Sequence, residues 1–261
     1  MKIVLVYSSE EAERNHYVVQ RFSQSLGTVL VEPSYRGDAD FVINRSNDYK
    51  VAEYYEKKGV TVFNGAKFSL LANDKQLCYD FMKKNGIEIL PTRYSTVPFV
   101  KKPRDSHGGN GVVMCFDESE YDENQVCQKP ASSLGRDVRV WVLGGKIIAS
   151  ILRVSDTDFR SNYCLGGNAL VYDLSDEECT LVQKIIDIVT PLGAHYYGVD
   201  FLFDDGKMVF NELEDTVGAR MVYDKTDIDI IGMYIEYIKS NASLFKGGGP
   251  RLRGGGIYDD Y

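Results

Sequence analysis

The stretch Gly198-Val-Asp-Phe-Leu-Phe-Asp-Asp-Gly-Lys-Met-Val-Phe-Asn-Glu-Leu-Glu-Asp-Thr216 is the most informative in the chain. Tyr197 to Phe203 is aromatic and β-branched, as strands are. Asp204-Asp205-Gly206 reads as a turn, and Met208 to Glu214 as the returning strand. Strand side chains alternate faces, so Glu212 and Glu214 share one face and Asn211 and Leu213 the other. A three-residue loop with Gly206 left-handed would pair Phe203 with Lys207. Asp200 would then lie opposite Phe210 and diagonal to Glu212, which sets three carboxylates on one face. An even-numbered loop would send Asp200 to the other side.

Carboxylates grouped in this way repel and call for cations. Hard oxygen ligands suit Mg²⁺, which takes one or two carboxylates and completes its shell with phosphate oxygens. The alternative is a solvated acidic hairpin end.

The length of 261 residues allows about two domains and a sizeable core. A net charge of −8 argues against a general nucleic-acid binder, since phosphate backbones are held by excess Lys and Arg. Cys78, Cys115, Cys127, Cys164 and Cys179 are scattered without a CxxC pair, which suits reduced thiols in a cytoplasmic protein. Lys2 to Tyr7 is too short for a signal peptide, and no apolar run reaches membrane-spanning length.

From the N-terminus, strands are expected at Ile3 to Tyr7, Phe41 to Ile43 and Val60 to Phe63. Helices are expected from Glu10 to Leu26 and from Val51 to Lys58. This alternation predicts a small open α/β sheet. Arg45 follows a strand of that sheet, where ligands of such sheets gather. It is read either as a binding residue or as one half of a surface salt bridge. Asn73-Asp74-Lys75 opens a helix that stops at Gly86.

Two strands then flank a loop from Arg104 to Gly111, with Lys102 on the strand beneath. Its glycines can bring backbone N–H groups against phosphate oxygens, because glycine has no Cβ. No helix follows, so this is not a P-loop. Asp137 to Leu143 and Lys146 to Val154 form a hairpin around Gly144-Gly145. Asp137, Arg139 and Trp141 fall on one of its faces, and Val138, Val140 and Val142 on the other. Ser175 with Glu178 is a capping box before an amphipathic helix, and Thr226 with Asp229 resembles another. From Lys246 the glycine-rich sequence predicts a flexible tail.

In this order the pieces are recognisable. Lys75, Lys102-Pro103 with its glycine hairpin, Gly135-Arg-Asp-Val-Arg139, Phe159-Arg-Ser-Asn162, Gly198-Val-Asp200 and Asn211-Glu-Leu-Glu214 together resemble the ATP-grasp ligases. The closest likeness is to the RimK-type branch, which adds amino acids to peptide or amino-acid carboxylates. The likeness runs from about residue 40 to 240. It implies an α/β and α+β fold in which a small N-terminal sheet precedes two β-rich lobes clasping a nucleotide. The units expected are an N-terminal domain over 1–90, a shortened lobe over 91–131, a metal-bearing lobe over 132–245 and a tail over 246–261.

The resemblance further implies residue roles. Lys75 and Lys102 would hold the phosphates of ATP, and Ser106, Gly108, Gly109 and Gly111 would cover them. Gln128 would mark the adenine, and Asp137 would take the ribose. Asp200, Glu212 and Glu214 would hold two Mg²⁺ ions, with Mn²⁺ as an alternative. Arg139, Arg160, Asn162 and Arg220 would face the transferring phosphate or the intermediate.

The chain departs from that pattern in three places. Glu214 stands where Asn is usual. Lys129-Pro130 replaces an acidic–aromatic pair. The lobe between Thr92 and Lys129 is short and lacks its helices. The expected function is ATP-dependent ligation of a small-molecule or peptide carboxylate to an amine through an acyl phosphate, without nucleic-acid or membrane partners and with homo-oligomers admitted. A kinase-like transfer to a hydroxyl and a non-catalytic nucleotide-binding module are the competing readings.

Overall fold

The computed structural model describes residues 1–155, 158–160 and 168–246. Asn162, Cys164 and the tail from 247 lie outside these residues. No helix among those described is long and apolar enough to cross a membrane. Cys78, Cys115, Cys127 and Cys179 are unbridged.

The first sheet is parallel, built of β1 (Ile3–Val6), β2 (Val29–Val31), β3 (Phe41–Asn44) and β4 (Thr61–Phe63) in the order β2-β1-β3-β4. β1 and β3 are buried along their whole length, as the apolar runs Ile3–Val6 and Phe41-Val-Ile43 require, with Asn44 the one polar residue among them. The helix expected over 10–26 is two helices, α1 (Ser9–Arg14) and α2 (His16–Leu26). Asn15 divides them: its Nδ2 donates to the Glu11 carbonyl at 2.8 Å and competes with the helical ladder. The helices α3 (Tyr49–Lys57), α4 (Ala66–Ala72) and α5 (Lys75–Lys84) follow.

A three-stranded antiparallel sheet comes next, with β5 (Phe99–Lys102) between β6 (Val113–Cys115) and β7 (Val126–Gln128). Only a short 3-10 turn, Glu118–Glu120, stands where helices would otherwise lie.

The largest sheet has the order β10-β9-β8-β11-β12. Its strands are β8 (Ser133–Leu143), β9 (Lys146–Val154), β10 (Asn168–Val171), β11 (Tyr196–Asp204) and β12 (Lys207–Glu214). One face is apolar. Val138, Val140 and Val142 pack there with Val199, Phe201 and Phe210 against Val182, Ile185, Ile186 and Val189 of α6 (Asp176–Val189). Each such fully buried side chain contributes about 1.5–3 kcal/mol. α6 is started by the expected capping box, with Ser175 accepting from the Glu178 amide.

The opposite face is divided along its length. Trp141 and Tyr196 join the apolar core formed with α7 (Arg220–Lys225), α8 (Ile230–Lys246) and the first sheet. Asp137, Arg139, Asp200 and Glu212 occupy the remainder of that face. At the start of α8 the cap is Asp229, which accepts from the Gly232 amide at 3.0 Å, while Thr226 instead donates to the Val222 carbonyl at 2.7 Å. The capping box expected there is therefore corrected to a single aspartate cap.

Candidate active site

The hairpin of β11 and β12 turns through two residues, the even-numbered of the two alternatives left open by the sequence. Asp204 pairs with Lys207, and Asp205 and Gly206 have φ of 48° and 78°. That is the geometry in which Asp-Gly connects twisted strands. An even loop alone would put Asp200 on the wrong face. A β-bulge restores the parity: Phe201 pairs with Phe210, but Asp200 pairs with Glu212, leaving Asn211 as the extra residue. Asp200, Glu212 and Glu214 therefore share a face, with Asp200 directly opposite Glu212. The bulge also moves Asn211 off the face it was expected to share with Leu213. Leu213 is in the core, whereas Asn211 Oδ1 lies 2.9 Å from Lys102 Nζ.

Lys102, Asp200, Asn211 and Glu212 line a cleft between the small and the large sheet. Its walls include Lys75, Lys102, Ser106, Gly109, Gln128, Asp137, Arg160, Asp200, Asn211 and Glu212. Apolar surface from Val100, Pro130, Ala131, Leu134 and Leu202 completes it. Cations, acids and an apolar wall are what a phosphorylated ring compound needs.

Lys75 opens α5 and is buried, with Nζ 2.9 Å from Glu212 Oε1 and also bonded to the Ser106 carbonyl. Lys102 ends β5 and donates to Gln128 Oε1 at 2.7 Å, Asn211 Oδ1 at 2.9 Å and the Tyr79 hydroxyl at 3.1 Å. No carboxylate pairs with it among the described residues. Burial lowers its pKa to about 8, with Lys75 adding to the fall and Glu212 opposing it.

The glycine hairpin folds over this pair. Gly108, Gly109 and Gly111 have φ of 65°, 76° and 71°, a region that other residues enter with strain. Ser106 and Gly109 face the cleft, while Gly108 and Gly111 shape the loop without lining it. Contacts from both sides hold the loop down: Arg104 pairs with Asp74, the Lys75 amide donates to the Arg104 carbonyl at 2.9 Å, Lys75 Nζ bonds the Ser106 carbonyl, and Arg160 Nη1 donates to the Gly109 carbonyl at 3.2 Å.

A chain of ion pairs runs beneath. Asp137 accepts from Arg153 through both oxygens. Arg153 also reaches Asp200 Oδ2 at 2.8 Å. Arg139 bonds both Asp200 oxygens at 2.7 Å and meets Glu214 as well. Burial raises the Asp200 pKa, but the two guanidiniums outweigh it and hold the group at about 2. Burial prevails at Asp137, whose pKa rises despite Arg153. Asp137 thus faces the cleft with both oxygens engaged.

Among the described residues no three acidic, His or Cys side chains are grouped tightly enough to hold a metal ion as they stand. The donor set nevertheless fits a hard divalent cation. All three carboxylates share a face, Asp200 is held ionised, and each already meets a cationic side chain: Arg139 at Asp200 and Glu214, Lys75 at Glu212. Arg139 and Glu214 join the ion pairs at the cleft without lining it, and Arg220 has no part in those pairs among the described residues. It begins α7, is exposed and is not part of the cleft wall. Asn162 lies outside the described residues.

Arg153, Asn211 and Tyr79 were not legible as site residues. Arg153 faces Asp137 only because a second bulge shifts β9 by one residue between the pairs Trp141–Ala149 and Val142–Ile147. Counting back from Gly144-Gly145 without it would set Leu152 there. Bulges carry no clear signature in one sequence.

Residues 72–238 match the family model of the RimK-like ATP-grasp domain. The chain is 29% identical over 246 residues to the uncharacterized protein MG011 homolog of Mycoplasma pneumoniae, covering 84% of this chain and 85% of that one. It is 28% identical to a probable alpha-L-glutamate ligase of Maridesulfovibrio salexigens, covering 74% and 71% of the two chains. Among solved structures, the ATP-grasp ligase PsnB complexed with minimal precursor, Mg and ADP superposes with a TM-score of 0.66 at 16% identity, covering 92% of this chain and 97% of that one. At that identity the likeness is one of fold.

Proposed function

The chain belongs to the RimK-like ATP-grasp family, and from that premise we propose that it joins a carboxylate to an amine through an acyl phosphate, with release of ADP and phosphate. That it is a carbon–nitrogen bond-forming ligase follows from the family and from relatives named as glutamate ligases. One observation supports the finer reading most. Lys75, Lys102 and the acidic face of Asp200 and Glu212 meet in one cleft beneath a glycine hairpin.

A carboxylate is a poor electrophile until its oxygen is phosphorylated. In this reading Lys75 and Lys102 exchange their present acceptors for phosphate oxygens of ATP, and the hairpin amides from Ser106 to Gly111 close over them. Asp200, Glu212 and Glu214 would hold Mg²⁺. Bound there, the ion would neutralise charge on the transferring phosphoryl group. Arg139 and Arg160 stabilise the negative charge that develops on the substrate. Val100, Pro130, Ala131, Leu134 and Leu202 offer the apolar wall for the base. The covering hairpin keeps water from the activated carboxylate. The amine then attacks the acyl carbon, the tetrahedral oxyanion collapses with cleavage of the C–O bond, and phosphate leaves carrying the proton that the amine gives up.

Units over 1–90, 91–131 and 132–245 would supply, respectively, the substrate-side sheet, the lid and the metal-bearing floor. Hydroxylamine trapping tests the reading. Hydroxamate formed along with ADP supports it. ADP without hydroxamate would assign phosphoryl transfer to a hydroxyl, and neither product would leave a nucleotide-binding module.

A further inference from the structure

The crossing from β7 to β8, residues 129–132, is the part of the cleft that the phosphate chemistry leaves unused. It contains Lys129-Pro130, one of the three places where the sequence departs from the family pattern. The apolar side chains of the cleft gather around it. Val100 pairs with Gln128 at the end of β7, and Leu202 packs on the cluster of Leu90, Ala131 and Val209. Pro130, Ala131 and Leu134 line the cleft beside them, and Leu134 is left 51% exposed. An exposed leucine on a concave apolar wall suits the flat face of a base. The base of a bound nucleotide is therefore expected to lie against this crossing.

Hydrogen-bonding groups are unevenly supplied there. The Lys129 amide donates to the Pro91 carbonyl at 2.9 Å, and the Ser132 amide to Asp204 Oδ1 at 2.9 Å. Pro130 has no N–H at all. Of the four positions, Ala131 alone keeps an uncommitted amide among the described residues. A strong donor comes instead from a side chain. Lys129 lines the cleft, and among the described residues its ammonium meets only Asp204 Oδ2, at 3.2 Å. The lysine side chain of that pair is 41% exposed, and such pairs contribute little. Asp204 keeps the Ser132 amide when Lys129 leaves it.

Carbonyls and an ammonium suit one purine edge better than the other. Adenine carries an amino group at C6, which turns a donor toward the ammonium, and its N1 needs an N–H that the crossing barely supplies. A 6-oxopurine, guanine or hypoxanthine, offers O6 and N7 together to the ammonium, and its N1–H donates to a carbonyl. We propose that Lys129 reads the base, and that the cleft takes a 6-oxopurine nucleoside triphosphate at least as tightly as ATP. The inference rests on the nucleotide site of the ligase reading and adds the identity of the base to it.

The probes are the magnesium complexes of inosine triphosphate and ATP, titrated calorimetrically into the full chain. Their bases differ only in the group at C6 and the proton on N1. Inosine triphosphate is expected to bind as tightly as ATP or more tightly. Lys129→Met keeps the aliphatic stem and removes the donors. It is expected to lower the ratio of inosine triphosphate to ATP affinity by about tenfold, the loss of one charge-assisted hydrogen bond. Lys129→Arg, whose guanidinium also donates to O6 and N7, is expected to restore the ratio. A ratio is insensitive to a general loss of folded protein, so the test holds for a less stable variant. Tighter binding of ATP by the wild type overturns the proposal, as does a ratio that Lys129→Met leaves unchanged because both nucleotides weaken together. Hydroxylamine trapping with each nucleotide separates this from the ligase reading: no hydroxamate with either overturns the ligase reading and leaves a measured base preference standing.

Discussion

Lys102 Nζ lies 2.9 Å from the amide oxygen of Asn211, a residue that reaches it only because β12 bulges. Its other two acceptors, Gln128 and Tyr79, are also neutral. Burial thus lowers its pKa to about 8 with no bonded carboxylate to restore it. The protonated form binds phosphate. Nucleotide affinity is therefore expected to hold below pH 8 and to fall by up to about tenfold per pH unit above it. The same shift affects stability: the ammonium is penalised fully below pH 8, and the penalty fades as pH rises toward about 10.4, where the unfolded lysine also loses its proton. Asn211→Asp supplies the missing counter-charge and is expected to move the midpoint upward. Calorimetric titration of the nucleotide across pH checks both statements.

Asp200 is placed between two guanidiniums, and its removal would leave both short of charge. Asp200→Asn is expected to cost about 3–5 kcal/mol in denaturant unfolding, the usual cost of breaking a buried pair from one side. Its pKa near 2 lies below that of an unfolded aspartate. The stability it contributes is present above about pH 4 and is lost as pH falls toward 2. An Asp200→Asn protein should therefore unfold with a flatter pH profile in that window.

Much of this arrangement could be read from the sequence because it follows local periods. Val138, Val140 and Val142 alternate with Asp137, Arg139 and Trp141, and the sheet buries the valines as that alternation requires. The Asp-Gly turn fixed a hairpin, though not its length. What could not be read depended on register. The bulges at Asn211 and in β9 decide which side chains meet Lys102 and Asp137, and each is set by packing across the whole sheet. Arg45 illustrates the same limit. Its place after β3 was legible, but its burial against the Thr216–Val217 carbonyls joins segments more than 170 positions apart.

His195 shows a second pH response away from the cleft. Its Nδ1 lies 2.8 Å from the Tyr237 hydroxyl, and its ring packs 4.9 Å from that of Phe63. Burial lowers its pKa to about 4. The unfolded chain takes up this proton first, so stability is full above about pH 6.5 and falls as pH drops toward 4. His195→Gln is expected to remove about 2 kcal/mol of the difference in unfolding free energy between pH 7 and pH 4.5. An unchanged difference would place that acid sensitivity elsewhere.

Asp215 connects stability to the site. It is 2% exposed and pairs with no cation among the described residues. One oxygen accepts from Asn64 Nδ2 at 2.8 Å, and the other from Ser69 Oγ at 2.6 Å and Asn73 Nδ2 at 3.1 Å. Ser69 lies in α4, and Asn73 stands two positions before Lys75. Asp215 follows Glu214 at the end of β12. The network therefore ties the start of α5 to the acidic strand and sets where Lys75 meets Glu212. Asp215→Asn turns one acceptor into a donor facing a donor, which is expected to cost about 1–3 kcal/mol. It should also weaken nucleotide binding through Lys75. A double-mutant cycle with Lys75→Ala separates the two effects: if Asp215 acts by positioning Lys75, its effect on nucleotide affinity disappears in the Lys75→Ala background while its effect on stability remains. Fully additive losses of affinity would show that Asp215 supports only the fold.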